Sequence, residues 1–293
     1  MTASTSRART LAIIALLAGA TCIGTSALFV KVSETGPVST AFWRVFLALP
    51  FLWAWAWMDQ RRGAPAHSSP RGLLFAAGFF FAGDLAVWHW SIVLTSVANA
   101  VLLANLAPIF VTLAAWMWWR KKPATMFLAG LAAALIGVML MIGGDIPNSS
   151  GRALLGDALG VVTAMFYAAY QLTVTRLRGN VSTARIMAVS SVVTTVFLLP
   201  LAWLSGEIFF PATAAGWATV FGLALISQVA GQSLIAYAMA HLPATLSSVA
   251  LLLQPVMAGL FAWILLGETL GAVAFAGAVL VLIGIRIATQ SEK

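Results

Sequence analysis

Apolar residues along this chain neither alternate nor gather on one helical stripe; they run on continuously. Ten such stretches cover approximately residues 11–31, 38–58, 72–94, 97–119, 124–142, 154–175, 183–204, 213–238, 244–266 and 270–288. A helix needs roughly 20 mainly apolar residues to cross the hydrocarbon of a bilayer. The stretches are too long and too uniform for the roughly ten-residue alternating strands of a membrane barrel. Short separators with turn or interface character divide them, among them "SETGP", "DQRRGAPAHSSPR", "RKKP", "GGDIPNSSGR" and "SGEIFFP". The separators between the third and fourth stretches and between the eighth and ninth are the tightest. The pattern predicts an all-α polytopic membrane protein with ten transmembrane helices.

Composition agrees: 61% of residues are hydrophobic and only 8% are charged. Soluble domains carry about 25% charged residues, so a water-facing surface cannot be assembled from this supply. The single cysteine, Cys22, excludes a disulfide within the chain. A net charge of +8 raises the question of a nucleic-acid partner. The basic residues are scattered among short loops rather than gathered in one patch, which argues against one.

Those loops set an orientation. With the N-terminus inside, the inner segments hold Arg7, Arg9, Arg61, Arg62, Arg71, Arg120, Lys121, Lys122, Arg176, Arg178, Arg185, Arg286 and Lys293. The outer segments hold only Lys31 and Arg152, and Arg44 falls inside the second span. Positive residues favour the cytoplasmic side. The expectation is therefore a protein of the bacterial inner membrane with both termini in the cytoplasm. The first span reads as a retained helix, because "GATC" at 19–22 lacks the leading aliphatic residue of a lipoprotein cleavage site.

The second half of the chain resembles the first. "NLAPIFVTLAAWMWWRKKPATMFLAGLAAALIGVMLM" from Asn105 aligns with "LLQPVMAGLFAWILLGETLGAVAFAGAVLVLIGIRI" from Leu252. Pro108 pairs with Pro255, Gly130 with Gly277 and Gly137 with Gly284, without a gap. Residues 1–145 and 146–293 are thus expected to be two five-helix repeats. Five is odd, so the second copy enters the membrane inverted. Inverted repeats are a signature of secondary transporters, whose substrate sites lie near mid-bilayer where the repeats meet.

These residues carry a family resemblance. The five-plus-five duplication, "APIF" and "QPVM" at equivalent positions, "LGETL" after the ninth span, and "GLAAALIGVML" with "GAVLVLIGI" closing the halves are similar to the EamA branch of the drug/metabolite transporter superfamily. Within that branch, length and span number resemble bacterial exporters of amino acids of the YddG type. The resemblance implies a basket of helices around a central cavity. Spans 1, 3, 4, 6, 8 and 9 would form most of its wall, and spans 5 and 10 would pack outside. One motif departs from the pattern: the first copy has "RKKP" where the second has "GETL", so Glu268 has no counterpart.

Candidate chemistry lies in polar residues inside the spans. "GDLAVWHWS" places Asp84, Trp88 and Ser91 on one helical face, extended by Thr95. An ionised carboxylate at a helix centre costs roughly 2.5–3.5 kcal/mol on insertion scales, so Asp84 is expected to face the bundle interior. Two roles stay open for it: meeting a cationic group or carrying a proton, and pairing structurally with another helix. Arg44 is its evident intramembrane counterpart and reads as a structural tether. His89 lies about 140° around the helix from Asp84 at 100° per residue. It is either a proton relay or a neutral polar residue bonded to a neighbour. Gly83 invites the close approach of a backbone or a substrate.

Further cavity candidates are Asn99, Tyr167, Tyr170, Gln228, Gln232, Ser248 and Gln254, each of which can equally bond helix to helix. Pro108 and Pro255 remove a backbone donor and suggest gating hinges. Trp53, Trp55, Trp57, Trp116, Trp118 and Trp119 read as an aromatic belt.

No Walker loop, zinc-protease motif or nucleophile elbow occurs, and the chain carries no pattern for a metal or cofactor. The expected partners are a small-molecule substrate and membrane lipid, and nothing demands an oligomer, so a monomer is the simplest expectation. The sequence favours a secondary transporter that exports amino acids, aromatic or hydrophobic ones foremost, by alternating access. A multidrug or cationic-metabolite exporter and an intramembrane enzyme are the alternatives.

Overall fold

In a computed structural model of the chain, residues 3–62, 70–95, 97–120, 122–142, 151–177, 180–267 and 271–291 are described. His67, Lys121, Asp145, Arg178, Glu268 and Lys293 lie outside them. Among the described residues, ten helices are long and apolar enough to cross a membrane.

Five of these spans are uninterrupted: α3 (Arg71–Leu94), α5 (Thr125–Ile142), α6 (Gly151–Leu177), α7 (Thr183–Leu204) and α10 (Ala272–Gln290). Four are broken in two. They are α1a (Ala3–Gly24) with α1b (Ser26–Lys31), α2a (Pro37–Phe46) with α2b (Leu49–Arg61), α4a (Val97–Ala104) with α4b (Ala107–Trp119), and α9a (Ala244–Ala250) with α9b (Leu253–Leu266). The remaining span is α8a (Ala214–Gly222) and α8b (Ser233–Met239) joined by a π-helical stretch, Leu223–Gln232.

The breaks have a chemical cause. Proline lacks the N–H that an interior helix position requires, and it is tolerated only in a first turn. Pro108 accordingly sits in the first turn of α4b. Pro255 opens α9b in the same way, so the two equivalent spans break at equivalent points. Beside these breaks the Val101 carbonyl accepts from the Asn105 backbone and side chain at 3.1 and 2.8 Å, and the Leu251 carbonyl accepts from the Gln254 N–H at 3.0 Å. The symmetry extends to the far ends. Helix α4b stops at Arg120 (φ 50°) and α9b at Gly267 (φ 68°), both left-handed and both at the same place in their repeat. Glycine takes that conformation freely and arginine does not, yet the fold imposes it on both.

Helices α5 and α10 pair along their whole lengths on glycine and alanine. A methyl group added at Gly137 would lie 2.6 Å from the Gly277 carbonyl oxygen, and one at Gly284 would lie 2.6 Å from that of Gly130. Such contact is possible only without a side chain, and it is how membrane helices pack closely. The pair sits outside the bundle that α1, α3, α4, α6, α8 and α9 form. Many large apolar side chains face outward, among them Leu154, Trp203, Leu265 and Phe275, as a surface solvated by lipid requires.

At the face opposite the chain termini, two carboxylates cap each other's neighbouring helices. Glu34 follows α1b and accepts the backbone N–H groups of Ala212 (2.9 Å) and Thr213 (3.0 Å), together with the Thr213 hydroxyl. Glu207 follows α7 and accepts the N–H groups of Val38 (3.0 Å) and Ser39 (3.3 Å) in the first turn of α2a. The Gly36 N–H donates to the Ile208 carbonyl at 3.0 Å, and the Trp43 indole N–H donates to that of Phe209 at 2.6 Å. Each carboxylate thus neutralises the positive end of a helix dipole and satisfies orphan donors.

The hydrogen bonds from the Thr213 side chain, then from its backbone, hold the Glu34 carboxyl below its ordinary range. Its contribution is therefore complete above the unfolded value of about 4.3 and is lost as pH falls through the lowered folded value. In a detergent melting series, wild type is expected to lose stability on acidification through that window. Glu34→Gln should melt lower at neutral pH and lose less on acidification. Parallel curves for the two proteins would contradict the capping role.

Candidate functional site

A cavity of about 200 Å³ lies among α1, α2, α3, α4, α6, α8 and α9. Span 2 thus joins the six that the family resemblance implied, through Thr40, Ala41 and Arg44.

One wall belongs to α3. Asp84, Trp88 and His89 all line the cavity, although five residues of helix separate the carboxylate from the imidazole. Both can face it because the cavity wraps around the side of α3 rather than touching one narrow stripe. His89 is 2% exposed, and its Nδ1 bonds the Leu85 carbonyl one turn back, leaving Nε2 buried without a partner. The Trp88 indole meets the His89 ring edge-on, with centroids 5.0 Å apart. Gly83 does not admit a ligand: the Phe166 ring of α6 occupies the space beside it.

The other polar groups come from α2, α6, α8 and α9. Arg44 lines the cavity, and its Nε–H donates to Gln228 Oε1 at 3.1 Å. It is therefore anchored on α8, and it interacts electrostatically with Asp84. Gln232, Gln254 and Tyr167 also line the cavity, where the Gln254 side chain meets the Tyr167 hydroxyl and the Gln232 side chain that of Tyr170. Pro255 lines it next to Gln254, and Asn105 lines it from the break in span 4.

Several sequence candidates point elsewhere. Ser91 donates to the Gly156 carbonyl at 2.8 Å, locking α3 to α6. Thr95 and Asn99 turn to Asp157, at 2.7 and 3.3 Å. Tyr170 is 1% exposed, lies tilted against Phe81 with centroids 4.9 Å apart, and directs its hydroxyl at Met187 Sδ. Gln228 is buried behind Arg44 and supports it rather than lining the space. Ser248 donates to the Thr245 carbonyl at 2.8 Å within its own helix. Pro108 shapes α4b without lining the cavity.

The cavity is closed on one side only. Helix α4b packs against α9a, and Val111, Ala168 and Ala244 form a small apolar cluster with Phe110 and Leu172. This seal lies toward the face bearing the termini. At the opposite face, α4a and α9b, which occupy the equivalent positions in the inverted halves, make no packing of that extent. The cavity reaches instead to Ser26, Ala27 and Val30 in α1b. On the termini side of the seal, Phe110, Ala168 and Ala244 also line a wider groove of about 1200 Å³.

Comparison with known proteins agrees with this architecture. The model of the EamA-like transporter family matches twice, over residues 10–143 and 154–290. An uncharacterized transporter of Archaeoglobus fulgidus is 25% identical over 274 residues, covering 91% of this chain and 93% of that protein. The pseudopaline exporter CntI of Pseudomonas aeruginosa is 24% identical, covering 80% of this chain and 78% of its own. A protein of Streptantibioticus cattleyicolor described as a "Probable terminal-alkyne amino-acid exporter" is 27% identical, covering 68% and 66%. A crystal structure aligns over 97% of this chain and 98% of its own with a TM-score of 0.82 and 17% identity, which speaks for the fold alone.

Proposed function

The chain belongs to the EamA-like transporter family, and from that premise we propose that it exports amino acids and related small metabolites by alternating access. The observation that carries the reading is one cavity, closed toward the termini, whose wall holds both a carboxylate, Asp84, and a guanidinium, Arg44. Groups of opposite sign that face one cavity suit a ligand that carries both signs. Trp88 and Tyr167 supply aromatic surface for an apolar side chain. Relatives that export pseudopaline and an alkyne amino acid support the substrate class.

The volume also favours this class over the multidrug alternative. Drug-sized ligands occupy pockets of roughly 300–1,000 Å³, and this cavity has about 200 Å³. The loop charges support an inner-membrane placement with cytoplasmic termini, so the open side faces the periplasm. On this reading the protein acts as a carrier, not an enzyme, on a small-molecule substrate within lipid, and as a monomer.

Purified protein in liposomes loaded with labelled amino acids provides the test. Release of unaltered aromatic amino acids above empty vesicles supports the reading, and repeating the assay under an imposed pH gradient separates proton exchange from facilitated diffusion. Absence of flux for the whole panel, or recovery of converted product, overturns it.

A further inference from the structure

The groove on the termini side of the seal differs in chemistry from the central cavity. Its walls are largely apolar: Phe80 of α3, Phe110 and Trp118 of α4b, and Met165 and Leu172 of α6 line it. Two of its hydroxyls are turned back on their own helices. Thr112 donates to the Pro108 carbonyl and Thr173 to that of Ala169, each at 2.7 Å. Charge enters at the mouth, where Lys122, just before α5, and Arg176, in the last turn of α6, stand in the wall. No carboxylate lines the groove among the described residues.

Water is a poor occupant for such a space. Met165 is 51% exposed and Trp118 74%, and apolar surface left in water is unfavourable. Acyl chains solvate it without that penalty, because they are as apolar as the side chains themselves. The dimensions agree. Along α6, Met165 stands eleven residues from Arg176, about 16 Å at 1.5 Å per residue. Half of a hydrocarbon core roughly 30 Å thick is about 15 Å. The groove therefore runs from two cations at the membrane surface to about mid-bilayer, the depth of one leaflet.

From this we infer that the groove binds one anionic phospholipid of the termini-side leaflet, its phosphate on Lys122 and Arg176 and an acyl chain along Leu172, Met165 and Phe110. A guanidinium meets a phosphate through two parallel hydrogen bonds, and an ammonium adds a point charge. Basic pockets between membrane helices recognise lipid headgroups by this chemistry. A zwitterionic lipid offers the same chains without net charge, and a soluble phosphate ester offers the charge without chains. An anionic lipid satisfies mouth and walls together. Its binding does not depend on which solute the central cavity carries.

Native mass spectrometry of the purified full chain tests this. Protein stripped of lipid in detergent receives phosphatidylglycerol and phosphatidylcholine of identical acyl chains in equal amounts. One phosphatidylglycerol is expected to stay bound with a preference of roughly 30-fold, about 2 kcal/mol for two basic residues. Equal retention of the two lipids overturns the charge contact. Displacement of the bound lipid by an equimolar amount of glycerol 3-phosphate overturns the acyl contact.

Variants then locate the site. Lys122→Gln and Arg176→Gln are each expected to lower the preference about fivefold, and the double variant to abolish it. Both side chains are exposed, so the fold is expected to withstand the changes. Arg61→Gln combined with Arg62→Gln removes two cations that end α2b toward the same membrane face without lining the groove. There the preference is expected to persist. A preference that survives the double groove variant, or disappears with Arg61 and Arg62, puts the lipid elsewhere and overturns the assignment.

Discussion

Asp84→Asn is expected to weaken phenylalanine transport roughly 10- to 100-fold, since a hydrogen bond to a charged partner is worth about 1.5–3 kcal/mol. Asparagine matches aspartate in size, so the wall of α3 keeps its shape and only the charge leaves. The fold is expected to tolerate the change, because Arg44 stays anchored on Gln228. A neutral side chain in this wall also lowers the burial penalty on α3. The loss is therefore expected in apparent affinity for substrate, with a melting temperature at or above that of wild type. An Asp84→Asn protein that melts lower and binds normally would make the carboxylate structural, the role left open for it by the sequence.

A second large effect concerns the seal on the termini side. Val111 of α4b and Ala244 of α9a belong to one apolar cluster. Cysteines at these positions, in a Cys22→Ser background, are expected to form a disulfide under oxidation, because the two half-helices already pack together. The cross-link forbids separation of α4b from α9a and fixes the cavity open to the opposite face. Transport is expected to stop on oxidation and to return on reduction, while either single cysteine alone has little effect. Continued transport by the fully cross-linked protein would mean that substrate does not pass between these half-helices.

How much of this could be read from the sequence depends on which interaction placed each residue. Continuous apolar runs located all ten spans, because solvation by lipid acts on every residue of a span at once. Helical periodicity put Asp84, Trp88 and Ser91 on one face, yet only the first two reach the cavity. The third is captured by the Gly156 carbonyl of a neighbouring helix, a contact with no trace in the sequence of α3. Asn99 was lost to Asp157 in the same manner. Arg44 was recognised as an intramembrane charge, but its place in the wall follows from Gln228, whose direction depends on the π-helical stretch Leu223–Gln232. A π-turn adds a residue to each turn and rotates the helix beyond it, and no residue type announces it. Pro108 and Pro255 marked the broken spans correctly in position, while the partners of the nearby carbonyls were invisible until the Asn105 side chain and the Gln254 backbone were placed. Sequence patterns thus report what a residue's own helix requires, and the site is decided largely by what neighbouring helices offer.

Alternation between two sealed states is the central claim, and reactivity on the two sides of the seal tests it most directly. Single cysteines replace Ala258, in the cavity wall, and Ala114, in the groove on the termini side, each in the Cys22→Ser background. Maleimide labelling is followed in detergent, where reagent reaches both faces, as phenylalanine is added. Alternating access predicts that the two rates move in opposite directions, one site closing as the other opens. Rates that rise together, fall together or stay fixed in protein that transports phenylalanine would contradict it.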